Sequence, residues 1–270
     1  MERRSLAWCL DFLGAPRADF GAGPGGRDAA IQLELSRRTP LNKRDGDESA
    51  SNMLTHDALE ALQPGAIDLH RHRTGYATLV RSGTYAEAAV GGRVMITPAT
   101  LVVHPGYHLH SDQVFERGAV WNIDLGGHVL PAWTALKGAG VERLAASGLK
   151  PDATEVLGLL ASAEPVEAQP LPAWLADFAS LNVTQFSDAQ DTVSREHAHR
   201  TFKRYFGMSP GRYRRERQLQ AALTLIRNQA GLADTAAAAG FADQAHMTRV
   251  VKQELSVTPG RLRQEITPVQ

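Results

Sequence analysis

The sequence predicts an α+β protein in which an N-terminal antiparallel β-barrel or sandwich, with helices after it, precedes an all-α C-terminal domain. Short apolar segments separated by turn residues run from Gly65 to Leu125, which is typical of antiparallel sheets. Apolar residues at helical spacing then extend from Ala173 to about Arg263. The stretch between Glu164 and Pro172 contains three prolines and separates the two patterns.

The composition is that of a globular protein. Hydrophobic residues make up 43% of the 270 residues and charged residues 21%. No apolar run approaches the roughly 18–20 residues that span a bilayer, and Asp11 interrupts the apolar patch near the N-terminus, so we expect neither a membrane protein nor a secreted one. Cys9 is the only cysteine, which excludes intramolecular disulfides and cysteine clusters and favours the reducing cytoplasm.

The chain divides into four predicted regions. Residues 1–52 are rich in glycine, proline and charge and are predicted to form a disordered arm. An ordered-looking sequence begins at Met53, and one hypothesis places the biological start there. Residues 53–164 are predicted to form a ligand-binding and dimerisation domain, residues 165–172 a linker, and residues 173–270 a DNA-binding domain.

Six strands and a helical segment are predicted in the N-terminal domain. The Gly91-Gly92 pair indicates a tight hairpin, because glycine adopts positive φ without strain. Residues Pro131–Ser162 are predicted to be helical, and we regard them as candidate dimerisation helices. The predicted strands are Ala66–His72, Ala77–Val80, Tyr85–Val90, Arg93–Ile96, Thr100–His104 and Ala119–Leu125.

The net charge of zero hides a segregation of charge. Residues 181–270 contain 13 Lys and Arg against 8 Asp and Glu, a net charge of +5, so the remainder of the chain has −5. Between Ser194 and Arg217 eight basic residues accompany only two acidic ones. A solvated helical face explains such a bias as well as a nucleic-acid surface does, and charge alone does not decide between them.

The C-terminal domain contains an internal repeat. A shift of 49 residues aligns Ser194–Arg214 with Asp243–Arg263, with seven identical residues in 21 positions. Ser194 and Asp243 are predicted N-caps of equivalent helices. In the second copy a short alanine-rich helix, Ala233–Ala239, ends at Gly240 and a polar helix follows. This order is typical of a helix-turn-helix, and Pro210 opens a long helix, Gly211–Asn228, that joins the two copies.

The two copies resemble the DNA-binding domain of AraC/XylS-type transcriptional regulators. The resemblance rests on Gly231–Lys252 with Val257-Thr-Pro-Gly260, and on Val193–Lys203 with Gly207-Met-Ser-Pro210. It covers roughly residues 173–265. The sequence departs from the family pattern in the first scaffold helix, which is therefore predicted to be looser, and in the second unit. These positions are Ser187, Asp188, Thr192, Val251 and Ser256.

The resemblance implies that two recognition helices enter successive major-groove segments about 34 Å apart. Arginine can pair with guanine, glutamine with adenine, and glutamate with cytosine, whereas other basic side chains contact phosphates. An exposed helix residue without DNA contact is the alternative for each position. The implied base contacts are Glu196, His199 and Arg200 in the first helix and Gln244, Ala245, His246 and Arg249 in the second; the implied phosphate contacts are Arg195, Lys203, Arg204 and Lys252.

Five histidines lie in the predicted β region, two of them as His70-x-His72 and two as His108-x-His110 after Pro105-Gly106. This pattern resembles the two cupin motifs, and the sensor domains of AraC-type regulators are cupin-like barrels. Metal-binding cupins usually have a glutamate four residues beyond the second histidine, where this chain has Tyr76.

Three alternatives stay open for these histidines: structural or surface residues, a hydrogen-bonding effector pocket, or a metal site formed by His70, His72 and His108 or His110. The strand parity is also open, because either the histidines or Ile67 and Leu69 can face the interior. We predict an effector pocket without metal or cofactor, lined by His70, His72, Tyr76, His108, His110 and Trp121; Tyr85 and Tyr107 are further candidates.

The predicted function is a ligand-responsive, DNA-binding transcriptional regulator without catalytic residues. Its predicted partners are double-stranded promoter DNA, RNA polymerase, a small-molecule effector and a second copy of the chain as a homodimer, with no membrane. One alternative is a metal-dependent cupin enzyme fused to a DNA-binding module. A DNA-repair enzyme would need a reactive cysteine beside that module, which Cys9 does not supply, and a purely architectural DNA binder would show no operator preference.

Overall fold

The computed structural model describes residues 59–126, 130, 132–180 and 193–265. The predictions for the arm, for Cys9 and for a start at Met53 lie outside these residues. So do the departures predicted for the first scaffold helix at Ser187, Asp188 and Thr192. No helix in the described ranges is long and apolar enough to cross a membrane.

Two antiparallel sheets form the N-terminal part, which we call the β domain. The six-stranded sheet has the order β1-β8-β3-β6-β9-β10, and the four-stranded sheet has the order β2-β7-β4-β5. This arrangement confirms the predicted antiparallel sandwich. The strands are β1 (Glu60–Leu62), β2 (Gly65–Arg71), β3 (Tyr76–Ser82), β4 (Tyr85–Ala89), β5 (Gly92–Ile96), β6 (Leu101–His104), β7 (Leu109–Val114), β8 (Gly118–Asp124), β9 (Thr134–Lys137) and β10 (Glu164–Pro165).

The predicted hairpin lies between β4 and β5. Ala89 pairs with Gly92 across it, and Gly92 has φ 116°. Each of the six segments predicted as strands corresponds to a strand of the structure, with boundaries shifted by a few residues.

The helix predicted for Pro131–Ser162 is wrong at its start. Residues Thr134–Lys137 form β9, which pairs with β6 through Leu101 and Leu136. Pairing with a free sheet edge buries Leu136, and this tertiary contact outweighs the local helical preference of a short segment. Helices α1 (Ala139–Ser147) and α2 (Ala153–Leu159) follow, in agreement with the rest of the prediction.

The six-stranded sheet is covered on both faces. Val80, Val102 and Val120 face the four-stranded sheet and form the core between the sheets. Residues of opposite parity, such as Leu79, pack against α1 and α2 through Val141 and Val156. Because successive strand residues point to opposite faces, the two faces of this sheet belong to two separate apolar clusters.

The C-terminal part is helical, as predicted, and we call it the helical domain. Helices α4 and α7 both have 12 residues and are separated by 49 positions, so the sequence repeat is a repeat of structure. The helices are α3 (Ala173–Ser180), α4 (Arg195–Phe206), α5 (Pro210–Arg227), α6 (Leu232–Ala238), α7 (Gln244–Leu255) and α8 (Pro259–Glu265).

The helical domain packs on the outer face of the four-stranded sheet. Leu109 of β7 belongs to one apolar cluster with Phe202 and Phe206 of α4. A Cβ atom on Gly207, just after α4, would collide with the side chain of Ser111 in β7. The predicted linker also contacts the β domain, because the Gln169 amide donates to the Arg93 carbonyl at 2.8 Å.

Candidate nucleic-acid interface and buried histidine site

Helices α4 and α7 begin and end in the same way. The Ser194 hydroxyl accepts a hydrogen bond from the His197 amide at 3.2 Å, and Asp243 accepts from the His246 amide at 2.6 Å. Left-handed residues end both helices, with φ 70° at Gly207 and 57° at Ser256. Both predicted N-caps are therefore confirmed, and each cap satisfies an amide that the first helical turn leaves free.

The turn before α7 has the geometry of a helix-turn-helix. Helix α6 is followed by Gly240, which has φ 75°. The Gly240 carbonyl accepts a hydrogen bond from the Gln218 side chain of α5 at 2.7 Å. Met247 and Val251 are fully buried in the core of this unit, so the opposite side of α7 faces outward.

The predicted base-contacting residues of α4 lie on its exposed side. Glu196, His199 and Arg200 are all exposed. Arg200 donates to Glu196 at 3.0 Å, and these side chains are 69% and 79% exposed. Such an exposed i, i+4 ion pair contributes little stability, so DNA can separate the pair at low cost.

The second recognition helix is similar, with one exception. Gln244, Ala245 and Arg249 are exposed. His246 is half-buried, and its ring meets the edge of Phe241 with the centroids 5.5 Å apart. This packing restricts the ring of His246 more than the other three side chains.

The predicted phosphate contacts are also exposed. Arg195 is in the first turn of α4, whereas Lys203 and Arg204 are in its last turn, and Lys252 is in the last turn of α7. Arg204 is close enough to Arg93 of β5 for its charge to affect that residue: burial first, and then Arg204, lowers the pKa of Arg93. The basic end of α4 therefore faces both solvent and the β domain.

The histidines of β2 and β7 converge on the inner side of the four-stranded sheet. His70 pairs with His110 in the strand register. Their ring centroids are 4.2 Å apart, and those of His70 and His72 are 5.1 Å apart. Leu69 contacts the helical-domain cluster instead, and Ile67 is 46% exposed. The structure thus decides the strand parity in favour of histidines facing inward.

A second group of polar residues lies deeper between the sheets. Glu87 of β4 and His104 of β6 are 1–2% exposed, and His104 Nε2 is 3.1 Å from both carboxylate oxygens. His110 Nε2 is 3.3 Å from the Tyr76 hydroxyl. Burial raises the pKa of Glu87 to about 8 and lowers the pKa of His104 to about 3. Both groups are driven towards their neutral forms.

Burial has the same effect on the pKa values of His72, His108 and His110. Burial lowers the pKa of His72 to about 4, with smaller effects from His70 and His104. Burial also places the pKa values of His108 and His110 well below the usual range. A neutral imidazole has a lone pair on one nitrogen, so it can accept a hydrogen bond or bind a metal ion.

The structure brings most of the predicted pocket residues together, but not all of them. Tyr76 stacks on His104 with the centroids 4.2 Å apart. His108 is buried and stacks on Trp133 at 5.7 Å. Trp121 pairs with Leu79 and packs with the cluster under α1 and α2, so it is on the opposite face of the six-stranded sheet. Tyr107 packs into the helical-domain core instead.

Sequence reasoning did not identify Glu87, His104 or Asp112 as site residues. One signal was present, because Glu87 is the only charged residue in the strand Tyr85–Ala89 and shares the parity of Tyr85. An acidic residue on the inner face of an apolar strand is unusual enough to indicate a site.

Arg71 of β2 links the two domains. Its guanidinium donates to Glu216 of α5 at 2.9 Å and to the Tyr107 carbonyl at 3.1 Å. It is also 3.6 Å from Glu254 of α7, which Arg212 contacts at 2.7 Å. The Arg71 side chain is 12% exposed and that of Glu216 is 1% exposed. This buried network joins the strand that contains His70 to the second recognition helix.

Comparison with known proteins identifies the helical domain. Residues 191–265 match the family model described as "Helix-turn-helix domain". A segment of 75 residues, 27% of the chain, is 36% identical to "Probable transcription factor PqrA" of Proteus vulgaris. The chain spans 62% of the length of that relative.

Similar solved structures include ToxT from Vibrio cholerae. One ToxT structure has a TM-score of 0.36 and 10% identity, covering 78% of this chain and 98% of ToxT. Another, of ToxT bound to an unsaturated fatty acid, has a TM-score of 0.32 and 9% identity, covering 77% of this chain and 94% of ToxT.

Proposed function

We propose that this chain, whose residues 191–265 form a helix-turn-helix domain of the AraC type, is a sequence-specific DNA-binding transcriptional regulator. One observation carries the proposal: two equivalent helices, α4 and α7, both present exposed polar and basic faces. Helix α5 connects the two units directly. Two such helices suit successive major-groove segments on one side of the DNA.

The proposed base contacts are the residues that the resemblance to AraC/XylS-type regulators implies. Arg200 and Arg249 are exposed at equivalent positions of the repeat, where an arginine can donate two hydrogen bonds to guanine. Glu196, His199, Gln244 and Ala245 complete the exposed set, and His246 takes part from a more restricted position. Arg195, Lys203, Arg204 and Lys252 are the proposed phosphate contacts.

A small-molecule effector is proposed to bind in the β domain. His72 and His110 supply neutral imidazoles that can donate or accept hydrogen bonds, and His70, Tyr76 and His108 lie beside them. Such a group of polar side chains surrounded by apolar strands is typical of ligand sites. Trp121 is not part of this site, because it lies across the sheet from the histidines.

Arg71 supplies a route from that site to the DNA-binding helices. It lies between His70 and His72 in the chain and contacts Glu216 and Glu254 in the helical domain. A ligand that shifts β2 therefore alters contacts at the end of α7. Under this proposal the two domains have two arrangements, and the effector binds one of them more tightly. Binding therefore shifts the population towards that arrangement.

The remaining partners are proposals of the same kind. RNA polymerase follows from the AraC-type domain, and a homodimer through the region of α1 and α2 follows from Leu149, which is 74% exposed beside α1. The proposed location is the cytoplasm, where the DNA lies. Catalysis is not included, since the helix-turn-helix domain belongs to a family of regulators.

The test is selection of DNA sites by the full-length protein. Purified protein is mixed with sheared genomic DNA, bound fragments are sequenced, and the recovered site is compared with a scrambled one by fluorescence anisotropy at fixed salt. We expect binding to the recovered site to be about 10³-fold tighter or more. Equal affinity for both sequences would contradict a sequence-specific regulator.

A matched pair of variants connects the result to the interface. Arg200→Ala with Arg249→Ala removes the proposed guanine contacts, whereas Arg117→Ala removes an exposed arginine of the β domain. We expect only the first variant to lose preference for the recovered site. Equal losses in both would place DNA recognition elsewhere.

A further inference from the structure

The buried group between the sheets has the composition of a metal site. Glu87 of β4, His104 of β6 and His110 of β7 each place one ligand atom within 4.8 Å of the other two. All three residues are buried, and their strands come from both sheets. Ligands fixed on strands are held more rigidly than ligands on loops.

Several polar atoms of this group have no hydrogen-bond partner among the described residues. They are His104 Nδ1, His108 Nε2, His110 Nδ1 and Asp112 Oδ1, and all four are buried. A buried polar atom without a partner costs about 1–3 kcal/mol. One of them, His108 Nε2, is 4.0 Å from Glu87 Oε1, so an ion bound to Glu87 would give this nitrogen a partner.

The distances between the ligand atoms suit a small divalent ion. Zn–N bonds of about 2.0–2.1 Å in a tetrahedral site place ligand atoms about 3.3–3.4 Å apart. His104 Nε2 is 3.1 Å from each oxygen of Glu87, and His108 Nε2 is 4.0 Å from Glu87 Oε1. The ligand atoms of Glu87, His104 and His110 all lie within 4.8 Å of one another, and His108 is beside Glu87, in position to complete the set.

We propose that Glu87, His104 and His110 bind one divalent transition-metal ion of the Zn²⁺ type between the two sheets, with His108 as the fourth ligand. Imidazole and carboxylate ligands suit Zn²⁺, Fe²⁺ and Ni²⁺, whereas Mg²⁺ and Ca²⁺ need mainly oxygen ligands. Two of the proposed ligands, Glu87 and His104, belong to neither of the two His-x-His pairs that the sequence pattern singles out.

A second group of three, His70, His72 and His110, is the competing location. Both groups include His110, and one nitrogen of His110 cannot bind a metal ion in each group at the same time. His70 and His72 are only half-buried, and their group contains no carboxylate. Because an anionic ligand and a dry site both strengthen attraction to a cation, the Glu87 group is the stronger site.

The experiment uses the full chain without an affinity tag, after dialysis against a chelator. Co²⁺ is added in steps, its visible absorption is recorded, and displacement by Zn²⁺ is followed; bound metal is counted by mass spectrometry. We expect one Co²⁺ per chain, with the intense absorption of a four-coordinate site, and its loss on adding one equivalent of Zn²⁺. Absence of saturable binding in the wild-type protein would overturn the proposal.

Variants locate the site. Glu87→Gln keeps the shape of the protonated acid, so we expect it to fold, and His104→Gln is a second test. Each is expected to weaken Zn²⁺ binding at least about 100-fold, since even loss of an outer partner costs about 10–100-fold. His199→Gln, on the exposed side of α4, is the matched control and should bind normally. Loss in His72→Gln with full binding in Glu87→Gln would overturn the proposal in favour of the competing location.

The fold of each variant is checked without metal by circular dichroism. Zn²⁺ is expected to raise the unfolding temperature of the wild-type protein and of His199→Gln, but not of Glu87→Gln or His104→Gln. Equal stabilisation of all four proteins would place the metal elsewhere and contradict the proposal. None of these measurements uses DNA, so this inference and the proposed regulatory function can fail separately.

Discussion

At the scale of single residues, the exposed arginines of α4 and α7 differ in their surroundings. Arg200 is paired with Glu196 in the free protein. Arg249, the equivalent residue of the second unit, is exposed in α7, where Ala245 stands at the position of Glu196. The first arginine has to leave a salt bridge before it contacts a base, so the second is the cleaner test of base recognition.

Arg249→Ala is expected to cost about 1–3 kcal/mol on the specific site and to relax preference at one base position. The reason is the loss of a bidentate hydrogen bond to a base edge. Binding to the selected site and to single-base variants of that site is measured by fluorescence anisotropy. An equal loss of affinity for specific and random DNA would show that Arg249 does not contact a base.

Lys203→Ala is expected to act differently, because a phosphate contact carries no sequence information. The slope of log affinity against log salt should fall by about one unit, with unchanged base preference. Affinity is measured over a range of salt concentrations. A slope equal to that of the wild-type protein would remove Lys203 from the phosphate contacts.

At the scale of elements, the first turn of α7 depends on its N-cap. Asp243 accepts the His246 amide at 2.6 Å, whereas Ser194 accepts the His197 amide at 3.2 Å in α4. A carboxylate at a helix N-terminus also interacts favourably with the helix dipole. The cap of α7 is therefore the stronger of the two, and it orients Gln244 and Ala245 at the start of the recognition helix.

Asp243→Ala is expected to lower the free energy of unfolding by about 0.5–2 kcal/mol. The amide of His246 loses its acceptor, and the start of α7 frays. Urea unfolding measures the change, and Asp243→Ser, which keeps an acceptor oxygen, is the matched control. Equal stability of the alanine and serine variants would show that the cap contributes nothing.

Most features of the individual helices and turns follow from the local sequence. The caps and the glycine turn at Gly240 involve neighbours within a few positions, and the 49-residue repeat is visible as identity between two local segments; the structure confirms all three. The strand β9 was mistaken for helix, because its stability comes from pairing with β6. Contacts of this kind are made between segments that are distant in sequence, so local pattern does not predict them.

At the scale of the whole molecule, the contact between the domains is the main new feature. The β domain carries the histidine groups on its inner face and the helical domain on the outer face of the same four-stranded sheet. One strand, β2, therefore contacts both regions. Events in the interior of the β domain are only one sheet away from the DNA-binding helices.

Arg71→Ala is expected to destabilise the protein by about 3–5 kcal/mol, because it leaves the buried carboxylate of Glu216 without its partner. Burial raises the pKa of Glu216, and Arg71 opposes this rise. Without Arg71 the folded-state pKa rises further, so the loss should be larger at about pH 8 than at about pH 5. Urea unfolding at the two pH values measures it.

Two controls accompany this prediction. Arg117→Ala, on the exposed surface of the β domain, should leave stability nearly unchanged. The double variant Arg71→Met, Glu216→Gln removes both charges and should recover most of the loss. A loss that is the same at both pH values, or not recovered in the double variant, would contradict a buried ion pair between the domains.

The sequence by itself determined the order of a β domain and a helical domain, the two repeated units and their caps. The tertiary structure alone decided which histidines face inward, and it separated Trp121 from them. It also brought Glu87 to His104, 17 residues away, and Arg71 to Glu216, 145 residues away. The physical reason is range: caps and helix faces depend on neighbours within a few positions, whereas these pairs depend on sheet register and domain packing.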